Sequence, residues 1–358
     1  MAHGLRAVAV ATVIGLVWTG GWIAAQTAPP SVAAAESPAQ SEIQVIAGDG
    51  QEGFVDGSPG RFRKPIRLAA STSGQIVVAD IFNHAIRLVS REGVVETIAG
   101  DPDRKGFRDG STSEAMFASP HGVAVSAEGL IAVAEAENHT IRLIHPVAEG
   151  DSGGSHYSEV TTIAGVPGES GYRDGPAAQA LFASPHSVVW TADGGILVAD
   201  IGNARIRRVA NGIVTTVAGS GEAGSSSGPS LSASFHYPMD IALADDGTLF
   251  IADAGTHLVR RWHPDKGVDT IELRDELHTP HGIALGEDGV VFVADMGTST
   301  IVAIAPDGTL TKVCGTGEPG AGPDQLNRPA AVLVHGEDLW VADLDNHRIV
   351  ICELPGAV

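Results

Sequence analysis

The sequence is poor in cysteine, in aromatic residues and in positive charge. Its 358 residues include only 2 Cys, 9 Phe, 5 Trp and 3 Tyr. Two cysteines allow one disulfide at most and exclude a zinc site built from thiolates. Lys and Arg number 22 against 43 Asp and Glu, which gives a formal net charge of −21. A chain this acidic repels phosphate groups, so the composition argues against nucleic acid and anionic membrane surfaces as partners.

Long apolar runs are confined to the beginning of the chain. Ala7–Val17 is almost entirely apolar, and the small residues Ala33–Ala35 suit a cleavage site. We predict a signal peptide over residues 1–35 and a linker over residues 36–42, with the mature protein secreted or periplasmic. The alternative is an uncleaved N-terminal membrane anchor, since Val8–Ala25 is just long enough to span a bilayer if its Gly and Thr residues are tolerated. Both alternatives place the rest of the chain outside the cytoplasm.

The sequence is rich in glycine, with 45 residues, and it contains a repeated unit. A short apolar strand that ends in an acidic residue recurs six times, with its acid at Asp80, Glu135, Asp200, Asp253, Asp295 and Asp343. Upstream of each acid, a proline opens another strand, at Pro65, Pro120, Pro185, Pro238, Pro280 and Pro329. Turns rich in Gly and Asp separate the two strands, as in hairpins. Repetition of this kind predicts one repeat domain over residues 43–355.

Two more strands follow each acid. The third begins with motifs such as Asn83–Arg87 (Asn-His-Ala-Ile-Arg), and the fourth carries motifs such as Thr97–Gly100 (Thr-Ile-Ala-Gly). The fourth-strand pattern also occurs before the first unit, at Gln44–Gly48, whereas nothing equivalent follows the last unit. We therefore predict an all-β fold, a six-bladed β-propeller in which an N-terminal outer strand completes the last blade and closes the ring.

These motifs resemble the NHL-repeat family, which is named for an Asn-His-Leu triplet. This chain has Asn-His-Ala, Asn-His-Thr and Asn-His-Arg at the corresponding places. The resemblance extends over about residues 43–355 and implies a propeller of NHL repeats. It does not fix an activity, because the family includes RNA binders, sensor domains and metal-dependent lyases. The net charge and the predicted export disfavour RNA binding.

Polar residues that recur in every blade are expected to be structural. We expect each strand-ending acid, such as Asp80, to accept backbone N–H groups two residues further on, with residues such as Asn83 in left-handed geometry. We expect Arg87 and its equivalents to pack and pair between blades. Loops of the form Gly-aromatic-x-Asp-Gly, such as Gly53–Gly57, are expected to be turns.

The residue after the strand-opening proline differs between blades and is more informative. We expect it to face the mouth of the central channel, and around the ring it reads Ile66, His121, His186, Met239, His281 and Ala330. Neutral imidazoles suit zinc or copper, and a thioether suits copper. We therefore predict three metal ligands (His121, His186, His281), two catalytic residues (Arg67, Asp240) and three ligand-binding residues (Arg67, Met239, Asp240).

The three channel histidines and Arg67 are similar to the NHL-type lyases that cleave peptidyl hydroxyglycine. Those enzymes use three channel histidines around zinc, with an arginine nearby. Met239 and Ala330 depart from that pattern. The alternative interpretation is structural, since His is common after this proline in NHL repeats and its imidazole then only bonds to backbone at the rim.

Two functions follow from these alternatives. The first is an extracytoplasmic binding or sensor scaffold, a monomer that takes a protein, peptide or small ligand at the Pro-His face, by which we mean the end of the channel where the six inner strands begin. The second is a metal-dependent lyase or hydrolase with zinc or copper at the channel histidines. The sequence leaves open whether Cys314 and Cys352 form a disulfide or remain buried thiols.

Overall fold

The computed structural model of this chain describes residues 43–147 and 156–354. The predicted signal peptide or anchor and the linker lie outside these residues. Within them the chain forms β-strands, turns and short 3₁₀ segments, and none of its helical segments has the length and apolar character needed to cross a membrane. The 3₁₀ segments are Ile81–Asn83, Ala177–Gln179, Ile201–Asn203, Glu287–Gly289 and Leu344–Asn346.

The strands form six antiparallel sheets, which confirms the predicted six-bladed β-propeller. Blade 1 contains Pro65–Ala70, Ile76–Asp80, Ala85–Val89 and Val95–Gly100; blade 2 contains Pro120–Val125, Ile131–Glu135, Thr140–Pro146 and Tyr157–Ala164, with Gly110–Ser111 added outside; blade 3 contains Pro185–Trp190, Ile196–Asp200, Arg205–Ala210 and Ile213–Ala218, with Gly175–Pro176 added outside. Blade 4 contains Pro238–Leu243, Leu249–Asp253, Leu258–His263 and Gly267–Thr270; blade 5 contains Pro280–Leu285, Val291–Asp295, Thr300–Ile304 and Leu310–Cys314; blade 6 contains Pro329–His335, Asp338–Asp343, Arg348–Glu353 and Ile43–Ala47.

The ring closes through the N-terminal strand, as predicted. Ile43–Ala47 pairs antiparallel with Arg348–Glu353 of blade 6. The glycine that follows this strand, Gly48, has a φ of +93°, and a Cβ there would lie 2.4 Å from the His347 carbonyl oxygen. The outer-strand motif ends in glycine because the backbone passes this close to the neighbouring strand. Next to this closure, Cys314 of blade 5 and Cys352 of blade 6 form a disulfide.

The hydrophobic core lies between the blades rather than at one centre. Its buried apolar side chains fall into six clusters, each centred on the contact between two consecutive blades. In the cluster between blades 6 and 1, for example, Trp340 and Ile349 pack with Ile76 and Val78. Both faces of each sheet are therefore buried, which explains why the inner strands are apolar at successive positions.

The recurring acids are structural, but their partners differ from those expected. The Asp80 carboxylate is fully buried and accepts the Arg63 N–H at 2.7 Å, the Asn83 amide at 2.7 Å and the Arg87 guanidinium at 2.9 Å. The backbone donor thus comes from 17 residues upstream, so the expected bond to N–H groups two residues on was wrong. The left-handed residue is His84, with φ 51°, rather than Asn83.

The Gly-aromatic-x-Asp-Gly loops are also more than turns. The buried Arg87 guanidinium lies over the Phe54 ring at 4.5 Å and the Phe62 ring at 5.5 Å, and its Nη2 donates to Asp56 at 2.6 Å. Arg87 therefore holds the loop Gly53–Gly57 onto its own blade, and the expected pairing between blades was wrong. Arg142 and Arg207 bind the equivalent aspartates of blades 2 and 3 in the same way.

Candidate functional site at the Pro-His face

The inner strands bring the three predicted histidines together below the Pro-His face. The ring centroids of His121 and His186 are 3.8 Å apart, and those of His121 and His281 are 6.1 Å apart. His121 and His281 are 4% and 5% exposed, so these two rings lie beneath the mouth of the channel rather than facing it. The other members of this layer are Ile66 and Ala330, which are buried, and Met239, which is half-buried.

All three histidines are neutral at neutral pH. His186 Nδ1 donates to the Ser184 carbonyl at 2.8 Å, and His281 Nδ1 donates to the Ala330 carbonyl at 2.7 Å, which leaves each Nε2 as a hydrogen-bond acceptor. Burial, together with the nearby Arg67 charge, lowers the pKa of His186 to about 4 and that of His281 to about 3. Burial also holds the pKa of His121 well below its usual range.

The arrangement of these rings does not fit a metal centre. Imidazoles that share one zinc ion, with bonds of about 2.0 Å, keep their ring centroids about 5 Å apart, whereas His121 and His186 are in direct, tilted contact. Across residues 43–147 and 156–354, no three His, Cys, Asp or Glu side chains are placed to hold a metal ion. No chemical step is therefore assigned to a metal, and zinc or copper binding at these histidines is the alternative that metal analysis tests.

Directly below the histidines, the two predicted catalytic residues pair with each other. Arg67 Nη1 forms an ion pair with Asp240 Oδ2, and Arg67 Nη2 donates to the Met239 carbonyl at 3.2 Å. Both side chains are almost completely buried. Burial raises the pKa of Asp240 and lowers that of Arg67, and their mutual attraction opposes both shifts.

The Asp240 carboxylate is fully occupied by protein donors. Besides Arg67, it accepts the Ser187 hydroxyl at 2.7 Å, the Ile241 N–H at 2.8 Å and the Ile283 N–H at 2.9 Å. The Arg67–Asp240 pair joins blade 1 to blade 4, the blade opposite, because the equivalent residues of the other inner strands are small. Together these contacts close the channel, so the Pro-His face is the surface of a plug and not the entrance to a pore.

The histidines of the Asn-His motifs link one blade to the next, a role that the sequence analysis missed. His84 Nδ1 accepts the Ser119 N–H at 3.2 Å, His139 Nδ1 accepts the Ser184 N–H at 3.1 Å, and His347 Nδ1 accepts the Lys64 N–H at 3.2 Å. In each case the donor is the residue just before the next blade's inner-strand proline. The recurrence of His in the Asn-His motifs could have indicated a structural role. The N–H group that each histidine accepts lies in another repeat, so a local sequence pattern does not reveal it.

Around the channel, the Pro-His face presents aromatic rings and paired charges. Phe82 and Tyr237 are 48% and 50% exposed, and His236 stacks on Tyr237 with ring centroids 4.5 Å apart. Lys64 pairs with Asp345 at 2.6 Å. Lys105 and Glu137 likewise form an ion pair, at 2.5 Å. The face therefore combines exposed aromatic rings with at least two ion pairs.

Comparison with known proteins identifies the repeat. The family model described as NHL repeat matches residues 117–142, which contain the Pro120 strand and the Asn138–Arg142 motif. NHL repeat-containing protein 2 of Bos taurus is 31% identical over 214 residues, 52% of this chain and 28% of that protein. Protein SUPPRESSOR OF QUENCHING 1, chloroplastic, of Arabidopsis thaliana is 27% identical over 192 residues, 52% of this chain and 18% of that protein. The matched part is thus less than a third of either curated relative.

A solved structure extends the likeness to nearly the whole propeller. An auxiliary nutrient binding protein of Bacteroides ovatus superposes with a TM-score of 0.61 at 15% identity, over 87% of this chain and 76% of that one. At this identity the likeness shows the fold alone. The expected similarity to the peptidyl-hydroxyglycine lyases is not shown by these matches. The recurring motifs, the six blades and the matches agree: the chain contains an NHL repeat and has a six-bladed β-propeller fold.

Proposed function

We propose that this chain is an extracytoplasmic binding scaffold that takes a protein or peptide partner at its Pro-His face. The observation that carries the proposal is the exposure of Phe82 on blade 1 and Tyr237 at the start of blade 4, on opposite sides of the channel. Large exposed rings are costly in water and are enriched at the buried centres of protein interfaces. Two such rings give a partner two apolar anchors on one face.

The charge distribution supports the same partner class. The face pairs Lys64 with Asp345 and Lys105 with Glu137, so these two lysines each neutralise a carboxylate beside the aromatic rings. The histidines beneath it are neutral, and the Arg67–Asp240 pair blocks the channel. A partner therefore lies on the face and does not thread through the ring, which suits a folded surface or a peptide.

The disulfide supports a location outside the cytoplasm. Bonds such as Cys314–Cys352 form and persist in oxidising compartments and are rare where thiols are kept reduced. Protein recovered from cells without reductant and treated with a thiol-reactive polyethylene glycol should show no mass shift until it is reduced. Labelling of both cysteines before reduction would contradict the extracytoplasmic location.

Selection from a displayed peptide library tests the binding function. The target is the purified propeller, and selected peptides are then measured against three variants, Phe82→Ser, Tyr237→Ser and Leu231→Ser. Leu231 is 61% exposed and lies on the loop that precedes blade 4, so it controls for the loss of any exposed apolar side chain. We expect at least a tenfold loss of affinity, about 1.4 kcal/mol, in the first two variants only. Equal binding to all variants would reject the Pro-His face as the binding surface.

A further inference from the structure

The channel continues on the other side of the Arg67–Asp240 pair as an apolar cavity. The cavity has a volume of about 290 Å³ and is lined by inner-strand residues of all six blades. Its walls are aliphatic and include Leu68, Val123, Val188, Ile241, Ile283 and Val332. It is bounded at the end of the inner strands by residues such as Val125 and Leu285, which are only partly buried, so it faces the end of the ring opposite the Pro-His face.

The polar end of this cavity consists of Arg67, Ser187 and Asp240. Ser187 donates to Asp240, and the carboxylate of Asp240 is saturated by its donors. Arg67 differs, because its Nε–H is buried and has no hydrogen-bond partner within the described residues, and its side chain is only 5% exposed. A buried donor without an acceptor is unfavourable, and a bound oxygen would satisfy it.

We propose that this cavity binds a small neutral molecule with an apolar body and one acceptor oxygen, such as a cyclic ketone or a short ester. The aliphatic walls favour the apolar body, and the free Arg67 Nε–H selects the oxygen. A carboxylate is disfavoured, because the Arg67–Asp240 pair is already neutral and a buried extra charge would lie beside Asp240 without a counter-charge. This site is separate from the proposed peptide-binding face, since none of the histidine layer lines it.

Methyl-labelled protein provides the test. The full chain is titrated at pH 7 with cyclohexanone, cyclohexanecarboxylate and methylcyclohexane, and the methyl signals of Val123, Val188 and Val332 are followed by NMR. We expect saturable shifts at these methyls, with cyclohexanone binding at least tenfold more tightly than cyclohexanecarboxylate and more tightly than methylcyclohexane. Shifts spread over the whole surface, or equal affinities for the three probes, would overturn the proposal.

Substitutions distinguish the contribution of the cavity walls to binding from that of the Arg67 Nε–H donor. Ala242→Leu fills the cavity and should abolish binding, whereas Ala210→Leu, a matched change on the third strand of blade 3 away from the cavity, should not. The double variant Arg67→Met with Asp240→Leu replaces the ion pair by apolar side chains of similar size, so that neither charge is left unpaired. It should bind cyclohexanone and methylcyclohexane equally. A folded double variant that keeps the preference for the ketone would show that Arg67 does not select the oxygen. Unchanged binding in Ala242→Leu would show that the probes bind elsewhere, and either result would reject the site.

Discussion

Arg67 and Asp240 form a buried ion pair across the channel, between the inner strands of two opposite blades. Each inner strand packs against the inner strands of its two neighbouring blades, and this pair adds a direct side-chain link across the ring. The same pair separates a histidine-lined face from an apolar cavity. Two surfaces with different chemistry can therefore exist in one propeller without communicating through its axis.

Removing one partner of the ion pair should destabilise the fold strongly, whereas replacing both partners by apolar side chains should change its stability little. Arg67→Ala or Asp240→Ala leaves a single charge buried and should lower the free energy of unfolding by about 3–5 kcal/mol. Arg67→Met combined with Asp240→Leu removes both charges and should stay within about 1 kcal/mol of the natural protein. Urea unfolding of the three variants measures these differences. A double variant as unstable as the single ones would show that packing, and not charge, holds the centre.

Blade 4 lacks a contact that blades 1 to 3 have. In those blades an aspartate such as Asp56 binds both the buried arginine and a threonine, whereas blade 4 has Ser227 at that place, with its Oγ 3.3 Å from Arg260. Ser227→Asp should restore the pair with Arg260 and bring a carboxylate to Thr270, which lies opposite Arg260 on the outer strand. Because the site is exposed, we expect a gain of only about 0.5–1 kcal/mol in thermal unfolding. Ser225→Asp, two residues earlier on the same loop, is the control and should give no gain.

The sequence predicted the blades because each strand is encoded within one repeat. Val-Ala-Asp, the proline and Asn-His are all local patterns, and Gln44–Gly48 revealed the closure. The sequence also placed His121, His186 and His281 in one layer, because they share a repeat position. It did not reveal that Arg67 and Asp240 pair, since that contact depends on side-chain reach across the ring and on small residues in between. The bond from His84 to Ser119 was missed for a related reason, because its two ends belong to different repeats.

The blade-to-blade histidine bonds should contribute measurably to stability. His139→Ala leaves the Ser184 N–H without its acceptor and should cost about 1–2 kcal/mol in urea unfolding. Blade 3 carries Ala204 at the equivalent place, so Ala204→Ser is a matched change at a position that has no such bond, and it should be nearly neutral. A loss in His139→Ala no larger than in Ala204→Ser would show that the bond adds nothing.

Metal analysis tests the alternative function directly. Since the three imidazoles are not arranged around a common point, we expect less than about 0.1 zinc or copper per chain in protein purified without chelator. Elemental analysis of the natural protein and of His121→Ala and His281→Ala provides the measurement. Stoichiometric metal that disappears in both variants, with the propeller still folded, would contradict this expectation and favour a metal-dependent lyase or hydrolase.

Acid should weaken the propeller through its channel histidines. The folded pKa values of His186 and His281, about 4 and about 3, lie below the ordinary value of 6.5. Below about pH 6.5 the unfolded chain therefore binds protons that the folded chain does not, and the free energy of unfolding falls as the pH drops towards the folded pKa values. The loss should be about 2 kcal/mol for each histidine between about pH 7 and about pH 5.

Buried carboxylates with raised pKa values stabilise the fold as the pH falls over part of this range, which opposes the effect of the histidines. The test therefore compares the natural protein with a histidine variant. The pKa of Asp80 and that of Asp200 are raised by burial to about 6, so below about pH 6 the folded chain gains protons at these groups before the unfolded chain does. Urea unfolding of the natural protein and of His281→Asn at about pH 7 and about pH 5 cancels the carboxylates, which are common to both. The variant should lose about 2 kcal/mol less than the natural protein on acidification. Equal losses would mean that His281 is not held neutral by its burial against the Ala330 carbonyl and Arg67.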